Sequence, residues 1–320
     1  MDSWYSKNAP VFDSKISKSI LHPFTVNKHR GNTLNLYQGC QHRCGYCYAT
    51  YEWSPEFYDK IYAKINASEI LEKQLQSWKS QVVEPVMISS ATDAYQPAEL
   101  KFGLTRKCVN VLQKYDVPYY VFTKSALISR DLQLHKQYKH NCFIVWSITT
   151  CNENIRRIIE PGTPPSLILF KVIRKFSDCG IRCAVNIDPI LPLITDSSEE
   201  IESIVGNCLK SGVRYVFGAT LRLRSDIWER MKTIFKILNK NEKKMLTEYA
   251  RLYNFKEPMK QDYNLYVNKT YSDTILKNLE EKVLEKGMLF DFPHLDSNTQ
   301  MKKNKLKGRN KYQLTLMNFM

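Results

Sequence analysis

No hydrophobic run in this 320-residue chain approaches the roughly 18 residues that cross a bilayer, so no membrane-spanning helix is expected. The opening residues, MDSWYSKNAP, lack the charged-then-apolar order of a secretory leader, and the expected location is the cytoplasm. Acidic side chains are in short supply, 32 Asp and Glu against 47 Lys and Arg, which leaves a formal net charge of +15. Such a surface draws anionic partners, nucleic acid first among them. Lys, Asn and Ile are frequent throughout, as in a compositionally biased proteome, so the charge by itself names no partner. A hydrophobic content of 43% supports one large domain or two small ones around a sizeable core.

The nine cysteines are expected to stay reduced in the cytoplasm. Cys108, Cys142, Cys151, Cys179, Cys183 and Cys208 are scattered and read as buried or idle thiols. The other three lie together in LYQGCQHRCGYCYA, residues 36–49. The C-x3-C-x2-C spacing of Cys40, Cys44 and Cys47 puts three soft thiolates on one short loop, as an iron–sulfur cluster requires. A four-iron cube held by three cysteines keeps one iron open to a small molecule that chelates through an amine and a carboxylate. Zinc is the competing reading, with His42 as a fourth ligand, but structural zinc usually draws ligand pairs from separated segments. An odd triplet without a leader argues against disulfides.

Along the chain, short apolar runs alternate with amphipathic stretches. Strands are expected at residues 34–37, 86–89, 119–123, 143–147, 182–186 and 215–219. The intervening helices include 68–79, one N-capped by Thr105, one ending at Gly180, and one from Ser198 to near Gly212. Six such units argue for parallel strands with helices outside, two short of the eight that close a TIM barrel. In such folds the chemistry gathers after the strand ends. There the sequence places Asp93 and Gln96 in SATDAYQPAEL, Lys124 in TKS, SITT followed by EPGTPP, and DPILPLITD.

At these motifs the chain resembles the radical S-adenosylmethionine (SAM) superfamily, and within it the spore photolyase-like family, over roughly residues 34–225. The resemblance implies an α/β fold, an open partial (β/α)6 TIM-type barrel with a C-terminal helical extension. It implies a [4Fe-4S] cluster on Cys40, Cys44 and Cys47, SAM at the open iron, and reductive cleavage to a hydrogen-abstracting 5′-deoxyadenosyl radical. It further implies a lyase-like reaction on nucleic acid, a reductant such as flavodoxin or ferredoxin, and a monomer. Modification of a protein or small molecule, or nucleic-acid binding without turnover, are the alternatives.

Under the same resemblance Lys124 and Ser147 meet the SAM carboxylate or ribose, Thr92 and Asp93 its amino group, and Glu160 its ribose. Asn186 and Asp188 line the adenine edge. Tyr46 and Tyr48, which bracket Cys47, are the catalytic candidates as hydrogen-atom relays. The structural alternatives are loop satisfaction for Ser147 and Thr92, a turn cap for Asp93, a helix end for Glu160 and packing for Tyr46. The spore enzyme quenches its product radical with a cysteine after the second strand, where this chain reads Ser89, Ser90, Ala91, Thr92; Cys151 is the substitute donor by position. Absence of cysteine after Cys208 argues against a second cluster-binding domain. The expected organisation is an extension at 1–33, a core at 34–225, a helical region at 226–300 and a basic tail at 301–320. The tail carries six Lys and Arg between Lys302 and Lys311, with Tyr312 beside them, and reads as a solvated end or a phosphate-contacting arm.

Overall fold

β-Branched and aromatic runs such as VMI, YYVFT and CFIVWS carry too little polar pattern for a half-exposed sheet, and they form strands buried on both faces. The computed structural model describes residues 9–26, 29–51, 56–77, 84–260, 262–293 and 295. The basic tail, 301–320, lies outside the described residues.

The N-terminal strands are β1 (Val11–Lys15), β2 (Leu21–Val26), β3 (His29–Leu34), β4 (Tyr37–Gln38) and β5 (Lys60–Lys64). Helix α1 (Ala67–Ser77) and β6 (Val86–Ile88) follow, then α2 (Ala98–Phe102), α3 (Leu104–Lys114) and β7 (Tyr119–Thr123). Next come α4 (Leu132–Gln137), β8 (Cys142–Ser147), α5 (Glu153–Ile159), α6 (Ser166–Asp178), β9 (Arg182–Ile190), α7 (Ser198–Lys210) and β10 (Tyr215–Thr220). The chain continues through α8 (Ser225–Ile237), α9 (Glu242–Tyr253), α10 (Lys269–Glu285) and β11 (Leu289–Phe290).

The main sheet runs β2-β3-β6-β7-β8-β9-β10-β11. From β3 to β11 every neighbouring pair is parallel, and β2 joins its edge antiparallel. Six parallel strands joined by helical crossovers give the expected open (β/α)6 arrangement, to which β11 adds a short edge. A small second sheet, β1-β5-β4, flanks the segment that carries the cysteines.

Three sequence expectations shift. The first barrel strand is 29–34 rather than 34–37, so residues expected to form an extension pair with β2 and β6 through their backbone, and Gly31 with its polar neighbours hides the strand from an apolar count. The fifth strand runs on to Ile190 and takes in Asp188 and Pro189. Proline is tolerated there because pairing with β8 has already ended at Asn186. Thr105 does not cap α3: Gly103, at φ 61°, holds the N-cap position, and the Thr105 hydroxyl donates to Ala94 O at 2.6 Å. Gly180 and Gly212, both at φ 74°, do end α6 and α7 as left-handed residues.

Among the described residues two large apolar cores result, beside a small third cluster of Tyr120, Phe143 and Leu295. One fills the space between the sheet and α1, α3, α6, α7 and α10. The other joins Cys40, Cys44 and Tyr46 to Trp228, Phe235, Tyr249 and Tyr253 of α8 and α9. Each fully buried aromatic or aliphatic side chain there stabilises the fold by roughly 1.5–3 kcal/mol, so the helices after β10 hold the cysteine loop by packing.

Candidate metal centre and cofactor cavity

The loop between β4 and the short 3-10 turn at Tyr48–Tyr51 presents the three cysteines. Gly39 starts it at φ 82°, where a Cβ would lie 2.3 Å from Lys60 O and 2.8 Å from Phe57 O. Only glycine fits that approach. Gln96 clamps the next residues, accepting from Gln41 N at 3.0 Å and donating to Gly39 O at 3.1 Å. Gly162 packs its bare α-carbon on the loop, since a Cβ would stand 2.1 Å from Gln41 O, and its N–H donates to His42 O at 3.0 Å. Tyr58 donates to Cys44 O at 2.8 Å. From α8, Arg230 donates to Gly45 O at 2.7 Å and Cys47 O at 2.9 Å, and is itself held by Asp226 at 3.1 Å. Gln96 stood out only as a polar group among turn formers, Gly162 only as part of EPGTPP, and Tyr58 and Arg230 carried no signal in the sequence, because partners 14–185 residues away cannot be read from local pattern.

Cys40 and Cys44 are buried and Cys47 partly so. Burial pushes the Cys40 thiol up to about 12, with Asp93 adding to the rise. Burial likewise raises Cys44 and Cys47. As free thiols these three therefore stay protonated, and a bound metal would have to displace the protons. His42 is turned away from them: Nδ1 contacts Gly162 O at 3.1 Å and Nε2 lies 3.1 Å from Asp93 Oδ2. Burial opposes charge on this imidazole, but Asp93 outweighs it and the His42 pKa is raised. Among the described residues no three His, Cys, Asp or Glu side chains converge as a single-ion site demands. Three thiols with the histidine engaged elsewhere fit a cluster better than mononuclear zinc.

The cysteines open into a cavity of about 420 Å3 at the C-terminal ends of the parallel strands. Of the residues expected at the site, Tyr46, Tyr48, Thr92, Asp93, Lys124, Ser147, Asn186 and Asp188 all line it. Glu160 does not. Cys151 is also absent from the lining, and its backbone N–H donates to Glu200 on α7. Buried atoms without a protein partner include Ser89 Oγ and Asn186 Oδ1, both facing this space, which marks it as built for a polar ligand.

Asp93 is heavily committed within the protein. Oδ1 accepts from Tyr95 N at 2.7 Å and Thr123 Oγ1 at 2.8 Å, and Oδ2 accepts from Lys124 N at 2.6 Å. Burial would raise its pKa, yet His42 and these donors leave it lowered. The Thr92 hydroxyl donates to Tyr37 O at 3.1 Å.

Lys124 Nζ lies 3.0 Å from Glu160 Oε1 and 3.3 Å from both Ser147 O and Thr149 Oγ1, with the Tyr46 ring centroid at 5.5 Å. Glu160 also accepts from the Tyr46 hydroxyl and, at 3.1 Å, from Thr163. Burial works against both charges, but the pairing prevails: Lys124 is raised and Glu160 lowered, so both stay ionised. Burial, with Cys44 and Glu160 nearby, keeps the Tyr46 phenol protonated. Tyr48 is half-exposed at the opening, its hydroxyl donating to Ser90 O, with the Arg222 guanidinium 5.6 Å above its ring.

Comparison with known proteins agrees with this geometry. Residues 34–208 match the family model described as the radical SAM superfamily. An uncharacterised protein of Acidianus two-tailed virus is 30% identical over 256 residues, 71% of this chain and 81% of its own. An uncharacterised protein of Mycobacterium tuberculosis is 29% identical over 243 residues, 70% of this chain and 71% of its own. Among solved structures, spore photoproduct lyase complexed with dinucleoside spore photoproduct superposes with a TM-score of 0.65 at 12% identity, covering 86% of this chain and 79% of that one. A variant of that lyase with bound AdoMet and the same dinucleoside gives 0.62 at 13% identity, covering 79% and 73%. At those identities the likeness is one of fold.

Proposed function

The chain belongs to the radical SAM superfamily, whose members use a [4Fe-4S] cluster, SAM and an external reductant, and from that premise we propose that it acts on a nucleotide within a nucleic acid. Cys40, Cys44 and Cys47 would hold the cluster and the cavity beside them SAM. The observation that carries the reading is that three clustered thiols, a buried ammonium and unpartnered polar atoms share one cavity. When bound, the pair supplies one-electron cleavage of SAM and hence hydrogen-atom abstraction.

Lys124 orients the SAM carboxylate, with its amine already aimed by Glu160. Ser147, Thr92 and Asp93 complete that end of the cavity, Asp93 chiefly by fixing His42 and the end of β7. Asn186 and Ser89 offer hydrogen-bonding atoms to the nucleoside half. Tyr46, locked to Glu160 and Thr149, positions the loop, and Tyr48 at the opening serves as the hydrogen-atom relay. Burial of the floor keeps water from the reactive centre. On the same reading residues 34–225 are the catalytic core and 226–300 a helical segment seated on the cysteine loop. The net charge of +15 and the likeness in fold to a lyase that binds a dinucleoside support nucleic acid over a neutral substrate.

The test is an anaerobic assay of reconstituted, reduced protein with SAM, presented in turn with single-stranded DNA, duplex DNA, tRNA and a peptide pool. Stimulation of 5′-deoxyadenosine formation by a nucleic acid is the expected result. Stimulation by peptide alone overturns the substrate class, and absence of SAM cleavage in every arm overturns the enzymatic reading.

A further inference from the structure

Just beyond β10, Leu221 and Leu223 join the α8–α9 core, Leu221 also reaching the cavity wall, and Arg222 between them lines the cavity as well. Its guanidinium stands 5.6 Å over the Tyr48 ring and 3.8 Å from Asp188 Oδ2. Leu223 and Leu265 exchange both backbone hydrogen bonds, at 2.9 and 2.7 Å, in an antiparallel bridge. One step along that register sets Tyr266 across from Arg222, on the face away from the core. Tyr266 is 69% exposed and Tyr263, on the same segment, 62%. The backbone under them is nevertheless held, with Met259 and Val267 buried and Asn268 N donating to Leu252 O at 2.7 Å.

Exposed rings on a pinned backbone lose little freedom when a partner stacks on them. Resting on the nucleic-acid reading above, we propose that Tyr48, Arg222 and Tyr266 form the mouth through which a single unpaired nucleotide enters the cavity. Tyr266 stacks on a base and Arg222 meets the adjoining phosphate. With SAM held deeper in the cavity, the opening admits a single nucleotide and no duplex, so the target base leaves its stack to enter. The segment itself adds little net charge, with Glu257 and Asp262 standing against Lys256, Lys260 and Lys269, so Arg222 is the cation assigned to the phosphate. An aromatic platform with one well-placed guanidinium suits a strand bound mainly by stacking.

Fluorescence anisotropy on the full chain with labelled single-stranded, duplex and mismatch-bearing oligonucleotides tests this without turnover. The wild type should prefer the single-stranded and mismatched probes over the duplex. Tyr266→Ala should weaken single-strand binding roughly tenfold, and Tyr266→Phe should restore it. Arg222→Ala should flatten the dependence of log affinity on log salt by about 0.7. Oligonucleotide binding that both alanine variants leave intact overturns the mouth and spares the nucleic-acid reading. No binding of any oligonucleotide by the wild type, including where an acidic peptide binds instead, overturns both.

Discussion

Lys124 illustrates what a single buried charge does here. Its ammonium is held by Glu160 and by the oxygens of Ser147 and Thr149, at the wall of the cavity, so it is fixed before any ligand arrives. Lys124→Ala should weaken SAM binding by roughly 1.5–3 kcal/mol, the range for a hydrogen bond to a charged group, with iron content unchanged. Equilibrium dialysis checks it, and unaltered affinity would remove Lys124 from the site. Outside the cavity lining, His135 makes a second residue-scale case. Its ring nitrogens lie 2.9 Å from Tyr95 OH and 3.0 Å from Tyr119 OH, and burial brings its pKa down to about 4. The unfolded chain therefore binds more protons between about pH 6.5 and pH 4, and stability falls as pH drops through that window, by on the order of 3 kcal/mol. His135→Gln keeps a donor and an acceptor but cannot titrate. Urea unfolding of the metal-free variant should show a shallower loss over the same window, and parallel curves for the two proteins would sink the assignment.

Among the elements, the cysteine loop depends on close backbone approach more than on its own side chains. Gly39 and Gly103 both have positive φ, but a Cβ at Gly39 meets Lys60 O at 2.3 Å whereas at Gly103 nothing lies within 4 Å. Gly103→Ala should cost about 1 kcal/mol, the penalty of a left-handed alanine alone. Gly39→Ala should cost clearly more and lower the iron retained after reconstitution. Comparable unfolding midpoints for the two variants would show that the loop can shift away. Helix α8 adds the matching constraint, since Arg230 binds two carbonyls of the loop from nearly two hundred residues downstream.

At the scale of the molecule, the cavity decides which reactions can be completed. Among the described residues its only lining thiols are Cys40, Cys44 and Cys47, the three assigned to the cluster. Ala91 stands in the region where the resemblance to the spore enzyme implies a hydrogen-donating cysteine, and Cys151 does not reach the cavity. The aliphatic O–H bonds of Ser89, Ser90 and Thr92 are too strong to replace a thiol. Reduced protein with SAM should therefore reverse the spore thymine dimer slowly and with trapped adducts, and Ala91→Cys should improve it. Clean multiple-turnover conversion by the unaltered protein would contradict this.

The spacing of Cys40, Cys44 and Cys47 and the five apolar runs from residue 86 onward were legible because both are local: ligand spacing on one loop, and strands buried on two faces, leave their mark within a few residues, as the first barrel strand with Gly31 and its polar neighbours does not. The parallel fold and the cofactor class followed from them. Tertiary structure alone decided that Glu160 turns to Lys124 and Tyr46 rather than into the cavity, that Cys151 is remote from it, and that Asp93 is spent on the end of β7. It also decided that Gly162, Gln96 and Arg230 converge on the cysteine loop and that Tyr266 stands across from Arg222. Each depends on which distant segments pack together, and that choice is made by burial of the whole apolar surface, which no short stretch of residues records.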